Sequence, residues 1–273
     1  MSTPIIYGTA WKAERTTALV VAAVLNGFRA IDTACQPKHY REDLVGEALE
    51  ILQTKHGVKR EDIFLQTKFT PIGGQTTSKP LPYDPATSIT TQITTSFAKS
   101  LANLRTTYID SYILHSPLPT LEATLEAWSA LGELQDSGKI RGTIGVSNTY
   151  DVAILDALAA VRPVQVVQNR WFERNLWDRD VVQWCKARNV QYQSFWTLSG
   201  SPNLLAGPEL ASLATTSNCT AAQALFKFAL SGGVTPLCGT TNESHMQEAV
   251  AVPSIELTDP ASHLTILAST IWG

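Results

Sequence analysis

Eight short apolar runs alternate with longer helical patterns along 273 residues, and this alternation predicts an α/β chain closed as a (β/α)8 TIM barrel. Two further observations agree. The length suits one large barrel, and no Pro/Gly/Ser linker, low-complexity tract or internal repeat divides it, so residues 1–273 read as a single domain.

The elements follow in order. PIIYGTAWK opens with a short apolar strand ending at Gly8-Thr9. Glu14 to Asn26 reads as a helix rich in Ala, Leu and Val, stopped at Asn26-Gly27. Phe28 to Ile31 is a short strand that delivers Asp32 to its C-terminal end. A Thr-Ala-Cys-Gln-Pro loop then places Tyr40 just before a helix over Glu42 to His56, whose Leu44, Val45, Ala48, Leu49 and Leu52 share one face. Asp62 to Phe69 is the next strand and carries Lys68. Residues 70–86 hold four prolines and two glycines and form a long loop. Such loops on the C-terminal face of a barrel commonly shape the substrate site.

Ala86 to Leu104 is helical, and Ile109 to Leu114 is a strand that ends at His115. A helix over Leu121 to Ser137 is closed by Gly138. Thr143 to Val146 is a strand and Tyr150 to Ala160 a helix. Val164 to Val167 is a strand, Asp178 to Arg188 a helix, and Val190 to Ser194 a strand. Glu209 to Thr215 and Ala221 to Ser231 are helical, Val234 to Leu237 is the last strand, and Glu243 to Ala251 the last barrel helix. Leu264 to Ile271 is a closing helix.

Composition narrows the function. A 44% hydrophobic and 16% charged chain buries a sizeable core. Its net charge of −3 gives no general pull toward nucleic acid or an anionic membrane, so any cofactor phosphate must be met by local groups. The longest apolar run, Ala18 to Leu25, is too short to span a bilayer, and it runs straight into the Asp32 strand, which argues against a signal peptide. Cys35, Cys185, Cys219 and Cys238 are widely spaced, as expected of reduced thiols in a cytoplasmic chain without a zinc site. Cys35 reads as a packed loop thiol.

Asp32, Tyr40, Lys68 and His115 are residue types that shuttle protons, and they recur at strand ends or one loop beyond. Each alone has a structural explanation: Asp caps helices, Tyr packs, a buried Lys–Asp pair can be purely structural, and His115 could be a core histidine. The four together form a constellation. In order, spacing and strand context they match the tetrad of the aldo-keto reductases, and GFRAIDTA is close to that family's most recognisable segment. The chain resembles a short, fungal-like member of that family over nearly its whole length.

The resemblance implies NADPH-dependent reduction of an aldehyde or ketone, with Tyr40 as acid, Lys68 and Asp32 tuning it, and His115 contacting the substrate oxygen. Ser147, Asn148 and Gln168 match residues that hold the nicotinamide carboxamide, although Ser and Asn are also good helix caps. Phe195 stands where an aromatic ring stacks on the nicotinamide. Leu198 and the Ser199-Gly200-Ser201 turn would lie near the pyrophosphate. The 2′-phosphate loop departs from the family. Gly239 stands at its usual Lys, Thr240 at its Ser and His245 at its Arg, while Glu248 could bond adenine. Thr240 to Asn242 still open a helix, a plausible anion site. NADPH is the expected cofactor, with NADH as the alternative. Arg170, where a Glu often stands, is given no role. Trp11, Trp171 and Trp196 are candidate pocket walls for the substrate, each with core packing as its alternative. Two other readings compete. A barrel aldolase would use Lys68 as a Schiff-base amine, and a non-catalytic nucleotide sensor would keep the fold without the reaction.

Overall fold

The computed structural model describes residues 5–259 and 262–273. The sheet begins with two three-residue strands, β1 (Ile6–Gly8) and β2 (Ala30–Asp32). It continues through β3 (Phe64–Phe69), β4 (Ile109–Leu114), β5 (Ile140–Ser147), β6 (Val166–Arg170), β7 (Gln191–Phe195) and β8 (Val234–Cys238). Every strand pairs in parallel with the next and β8 returns to β1, so the barrel is closed in chain order. This is the (β/α)8 TIM barrel that the alternation predicts. Closure leaves no free edge, and parallel pairing requires a crossover between each two strands.

The crossovers are α1 (Thr16–Leu25), α2 (Glu42–His56), α3 (Ile89–Asn103), α4 (Leu121–Asp136), α5 (Val152–Val161) and α6 (Arg179–Ala187). Between β7 and β8 run α7 (Pro202–Leu205), α8 (Pro208–Thr216) and α9 (Ala221–Ser231). The chain ends in α10 (Glu243–Ala251) and α11 (His263–Trp272). Side-chain caps fix several starts. Ser88 Oγ accepts from the Thr91 amide, so α3 begins at Ile89 and not at the expected Ala86. Two strands are displaced from the sequence expectation: β5 is longer at both ends, and β6 runs on to Arg170. The short α7, led by Pro202, has too few residues to show a period and is missed by pattern reading.

Helices bury one face on the barrel. Ala127, Trp128, Leu131 and Leu134 of α4 point inward, and Trp128 is closed off with its Nε1–H donating to the Arg162 carbonyl at 3.2 Å. Burying an aromatic of that size contributes about 5 kcal/mol by area. Gly46 of α2 permits the closest helix approach, since a Cβ there would sit 2.0 Å from the Asn103 carbonyl oxygen of α3. Among the described residues, no helix is long and apolar enough to cross a membrane.

Two layers result. Outward strand residues pack on the helices, whereas inward ones meet across the axis. Hydrogen bonds from Gln66 of β3 to Gln193 of β7, and from Gln168 of β6 to Asp32 of β2, identify the inward set. That set brings functional side chains to the C-terminal mouth.

Candidate active site

Asp32 closes β2, inside the strand and not beyond it, because β2 starts at Ala30. Lys68 lies on β3, one pleat above Gln66, which is in register with Asp32. The Lys68 Nζ donates to Asp32 Oδ2 at 2.5 Å and to the Thr33 carbonyl at 2.9 Å. Lys68 is 0% exposed, so its ammonium has exchanged water for that carboxylate. Tyr40, on the β2–α2 loop, places its ring centroid 5.3 Å from Nζ and 5.9 Å from the His115 ring, edge to face. The four sequence-predicted residues therefore converge. Among the described residues, neither Tyr40 Oη nor His115 Nε2 has a hydrogen-bond partner, and both side chains are half-buried at the mouth.

Burial dominates the electrostatics. It lowers the Lys68 pKa, against the opposing pull of Asp32 and Glu42. The Tyr40 phenol is raised, first by burial and then by the Asp32 charge, so it stays protonated at neutral pH. Desolvation outweighs the Lys68 cation, which is offset from the ring. His115 is pushed well below the usual imidazole range by burial, then by the Lys68 and His39 charges, and is neutral. Its Nδ1 lies 2.6 Å from Thr70 Oγ1.

The β5 and β6 ends bring Ser147, Asn148 and Gln168 together. Asn148 takes the left-handed conformation at φ 52°, which asparagine tolerates. Its Nδ2 donates to the His115 carbonyl at 2.9 Å and to Ser147 Oγ at 3.1 Å. Gln168 uses its Nε2 on Asp32 Oδ1 at 3.0 Å and on Gln193 Oε1 at 2.9 Å. Among the described residues, Asn148 Oδ1 and Gln168 Oε1 accept nothing, so two amide acceptors and the Ser147 hydroxyl proton are available to a carboxamide. These residues fit the amide end of a nicotinamide. Phe195 ends β7 in register with Arg170, and Leu198 is half-buried three residues on.

At the β8–α10 loop, Gly239 and His245 are exposed while Thr240 and Glu248 are half-buried. The Asn242 side chain caps α10, accepting from the Ser244 and His245 amides. Sequence reading missed the cation that does sit here. Lys12 is buried, and its Nζ donates to the Gly239 carbonyl at 2.8 Å. Desolvation lowers its pKa to about 8.

The three tryptophans part company. Trp11 is 74% exposed and packs against His39 with ring centroids 3.7 Å apart and tilted by 34°, and Trp196 is half exposed with the Arg170 guanidinium 4.6 Å above its ring. Trp171 corrects the expectation. It is 0% exposed and packs against Trp272 at 5.5 Å, so it belongs to the core and lines no mouth. Cys35 is buried, its thiol raised by burial, which agrees with a packed loop position. Thr70, Gln66 and Gln193 were also missed. Each is two residues from a residue singled out in the sequence, or from its neighbour in the strand, so period-two alternation was the available signal.

The family model described as the Aldo/keto reductase family matches residues 4–263. An uncharacterized oxidoreductase of Bacillus subtilis, YtbE, is 28% identical over 239 residues, spanning 88% of this chain and 78% of the relative. The glyoxal reductase of the same bacterium is 30% identical over 247 residues, spanning 89% of this chain and 80% of the relative. A silkworm (Bombyx mori) aldo-keto reductase solved in complex with NADPH shares the fold, with a TM-score of 0.81 over 98% of this chain and 84% of the other at 22% identity.

Proposed function

Because this chain belongs to the aldo/keto reductase family, we propose that it reduces small aldehydes or ketones to alcohols with NADPH, Tyr40 giving the proton. The observation that carries this reading is the meeting of Lys68, Asp32, Tyr40 and His115, with Tyr40 Oη and His115 Nε2 without a partner among the described residues. The glyoxal reductase relative supports a small carbonyl substrate, and the silkworm complex supports NADPH.

The bound cofactor supplies the hydride, which no side chain can. Ser147, Asn148 and Gln168 hold its carboxamide, and Phe195 offers an aromatic face beside it. Leu198 and the turn after it pack near the pyrophosphate. Neutral His115 lies with Nδ1 2.6 Å from Thr70 Oγ1; in the tautomer that this reading requires, Thr70 donates there and the Nε2 proton goes to the carbonyl oxygen. Tyr40 then transfers its proton to the oxygen as negative charge develops there. The phenolate left behind lies beside the Lys68 ammonium and is reprotonated from solvent at the mouth. Thr240, the α10 N-terminus and Glu248 meet the adenosine end, where Gly239 and His245 supply no permanent charge. NADH is therefore also accepted. Trp11 and Trp196 are the substrate walls.

The test is oxidation of NADPH and NADH with a panel of aromatic and aliphatic aldehydes, alongside binding of each cofactor. Tyr40→Phe should lower turnover at least ~1,000-fold with nearly unchanged NADPH affinity. Retained turnover would remove Tyr40 from the acid role. Tight binding with no turnover across the panel would favour a nucleotide sensor.

A further inference from the structure

The interior of a (β/α)8 barrel is ordinarily packed with layers of branched aliphatic side chains. Below Lys68 this barrel instead carries a layer of buried glutamines: Gln66, Gln168 and Gln193. Their polarity can be worked out from one fixed point. Asp32, as the carboxylate partner of Lys68, can only accept, so Gln66 and Gln168 must both present Nε2 to its Oδ1, at 2.7 and 3.0 Å. Each then has a second N–H, and both go to Gln193 Oε1, at 2.8 and 2.9 Å. With its oxygen so used, Gln193 turns Nε2 to Gln66 Oε1 at 3.1 Å and to Gln191 Oε1 at 3.3 Å. Among the described residues, the one oxygen of the three amides that accepts nothing is Gln168 Oε1.

We propose that Gln66 and Gln193 are positioning residues for the reaction proposed above: their amides hold Asp32 as the carboxylate partner of Lys68 and fix Gln168 with its carbonyl oxygen free for a carboxamide donor. This rests on that reading of the site. The electrostatic consequence follows from the neighbours. Lys68 is faced by Asp32 from β2, Glu42 from α2 and His115 just beyond β4, while Tyr40 is faced by Lys68 and Asp32, and His115 by His39. Two amide donors share the carboxylate that accepts from Lys68 Nζ, and so hold the charge pair that faces Tyr40. Without Gln66 the Asp32 carboxylate loses one of these donors, and the field of the pair at Tyr40 changes. Gln193 acts differently. Without it, Gln168 no longer has a fixed amide orientation, and the hydrogen bond to the cofactor's carboxamide weakens.

The experiment compares Gln66→Met and Gln193→Met with Gln191→Met, which removes a neighbouring interior amide but no contact to Asp32 or Gln168. Should methionine block folding at either position, Gln66→Thr or Gln193→Thr removes the same contacts. Alcohol oxidation needs the Tyr40 phenolate, so its dependence on pH should shift by about one unit in Gln66→Met. The 15N resonance of Lys68 Nζ in the cofactor-free protein should shift with it. In Gln193→Met, NADP+ should bind about tenfold more weakly while 2′,5′-ADP, which lacks the nicotinamide, binds as before. Gln191→Met should lower thermal stability alone. An unmoved pH dependence with an unmoved Lys68 resonance overturns the role of Gln66. Equal weakening of NADP+ and 2′,5′-ADP overturns that of Gln193. If the native protein neither binds NADP+ nor turns over a carbonyl, the proposed reaction fails, while the Lys68 resonance still decides what the layer does to Asp32.

Discussion

Thr70 shows how much a single hydroxyl decides at this site. Its Oγ1 lies 2.6 Å from His115 Nδ1, and its carbonyl accepts from the Tyr83 hydroxyl at 2.8 Å, which fixes the backbone that carries it. If Thr70 donates, the imidazole proton is held on Nε2, toward the mouth. Thr70→Val keeps the shape and removes the donor, so kcat should fall about tenfold while the NADPH dissociation constant stays put. Steady-state kinetics with fluorescence titration would check it. The cofactor loop makes the opposite kind of case. A side chain at Gly239 would enter open space, its nearest neighbour the Gly8 carbonyl oxygen at 4.0 Å. Gly239→Lys with His245→Arg should therefore fold, and should tighten NADPH about tenfold with little change for NADH. Equal response of both cofactors would place the 2′-phosphate elsewhere.

At the scale of elements, the connection from β6 to α6 carries the strain. Leu176, Trp177 and Asp178 stand at φ 52°, 53° and 50°, three consecutive left-handed residues. Asp178 Oδ2 holds them by accepting from Asn169 Nδ2 and from the Tyr192 hydroxyl, both at 2.8 Å. Asn169 in turn accepts the Thr149 amide and donates to its carbonyl, tying this loop to the one that carries Ser147 and Asn148. Burial raises the Asp178 carboxyl to about 7. A carboxyl raised above its unfolded value binds its proton more tightly when folded, so the stability it contributes is fully present below about pH 4. That stability is lost as pH rises toward 7. Asp178→Asn keeps an acceptor oxygen for both donors and tolerates the left-handed backbone. Its stability should match the native protein's at pH 4 and exceed it at pH 8 by a few kcal/mol, about 1.4 for each pH unit between the unfolded and folded pKa, as urea unfolding at the two pH values would show. A difference that does not change with pH would show that Asp178 does not titrate in this range. His115, half-buried and held neutral by desolvation, works in the other direction, withdrawing stability as pH falls below about 6.5.

Across the whole molecule, α11 packs on α8 and reaches from the loop after β6 to α9. Trp272 packs on Trp171 at 5.5 Å and stacks on Phe228 at 5.7 Å, and Arg179 Nε donates to the Ile271 carbonyl at 2.9 Å. We propose that the chain unfolds as one domain. Trp272→Ala should then cost about 3 kcal/mol and lower a single transition seen alike by fluorescence and circular dichroism. Two separated transitions would divide the molecule. The sequence by itself determined the barrel, because alternating strand and helix patterns are local and each is written in consecutive residues. It also placed Asp32, Tyr40, Lys68 and His115 at strand ends or one loop beyond, where parallel closure brings them together. It could not assign Trp171, since a tryptophan at a strand end reads the same whether it faces the mouth or Trp272. Nor could it show that Lys12 lies under Gly239, or that Gln66, Gln168 and Gln193 share one layer. Those residues are far apart along the chain, and only closure of the sheet, with the register that it fixes, decides which side chains meet across the axis.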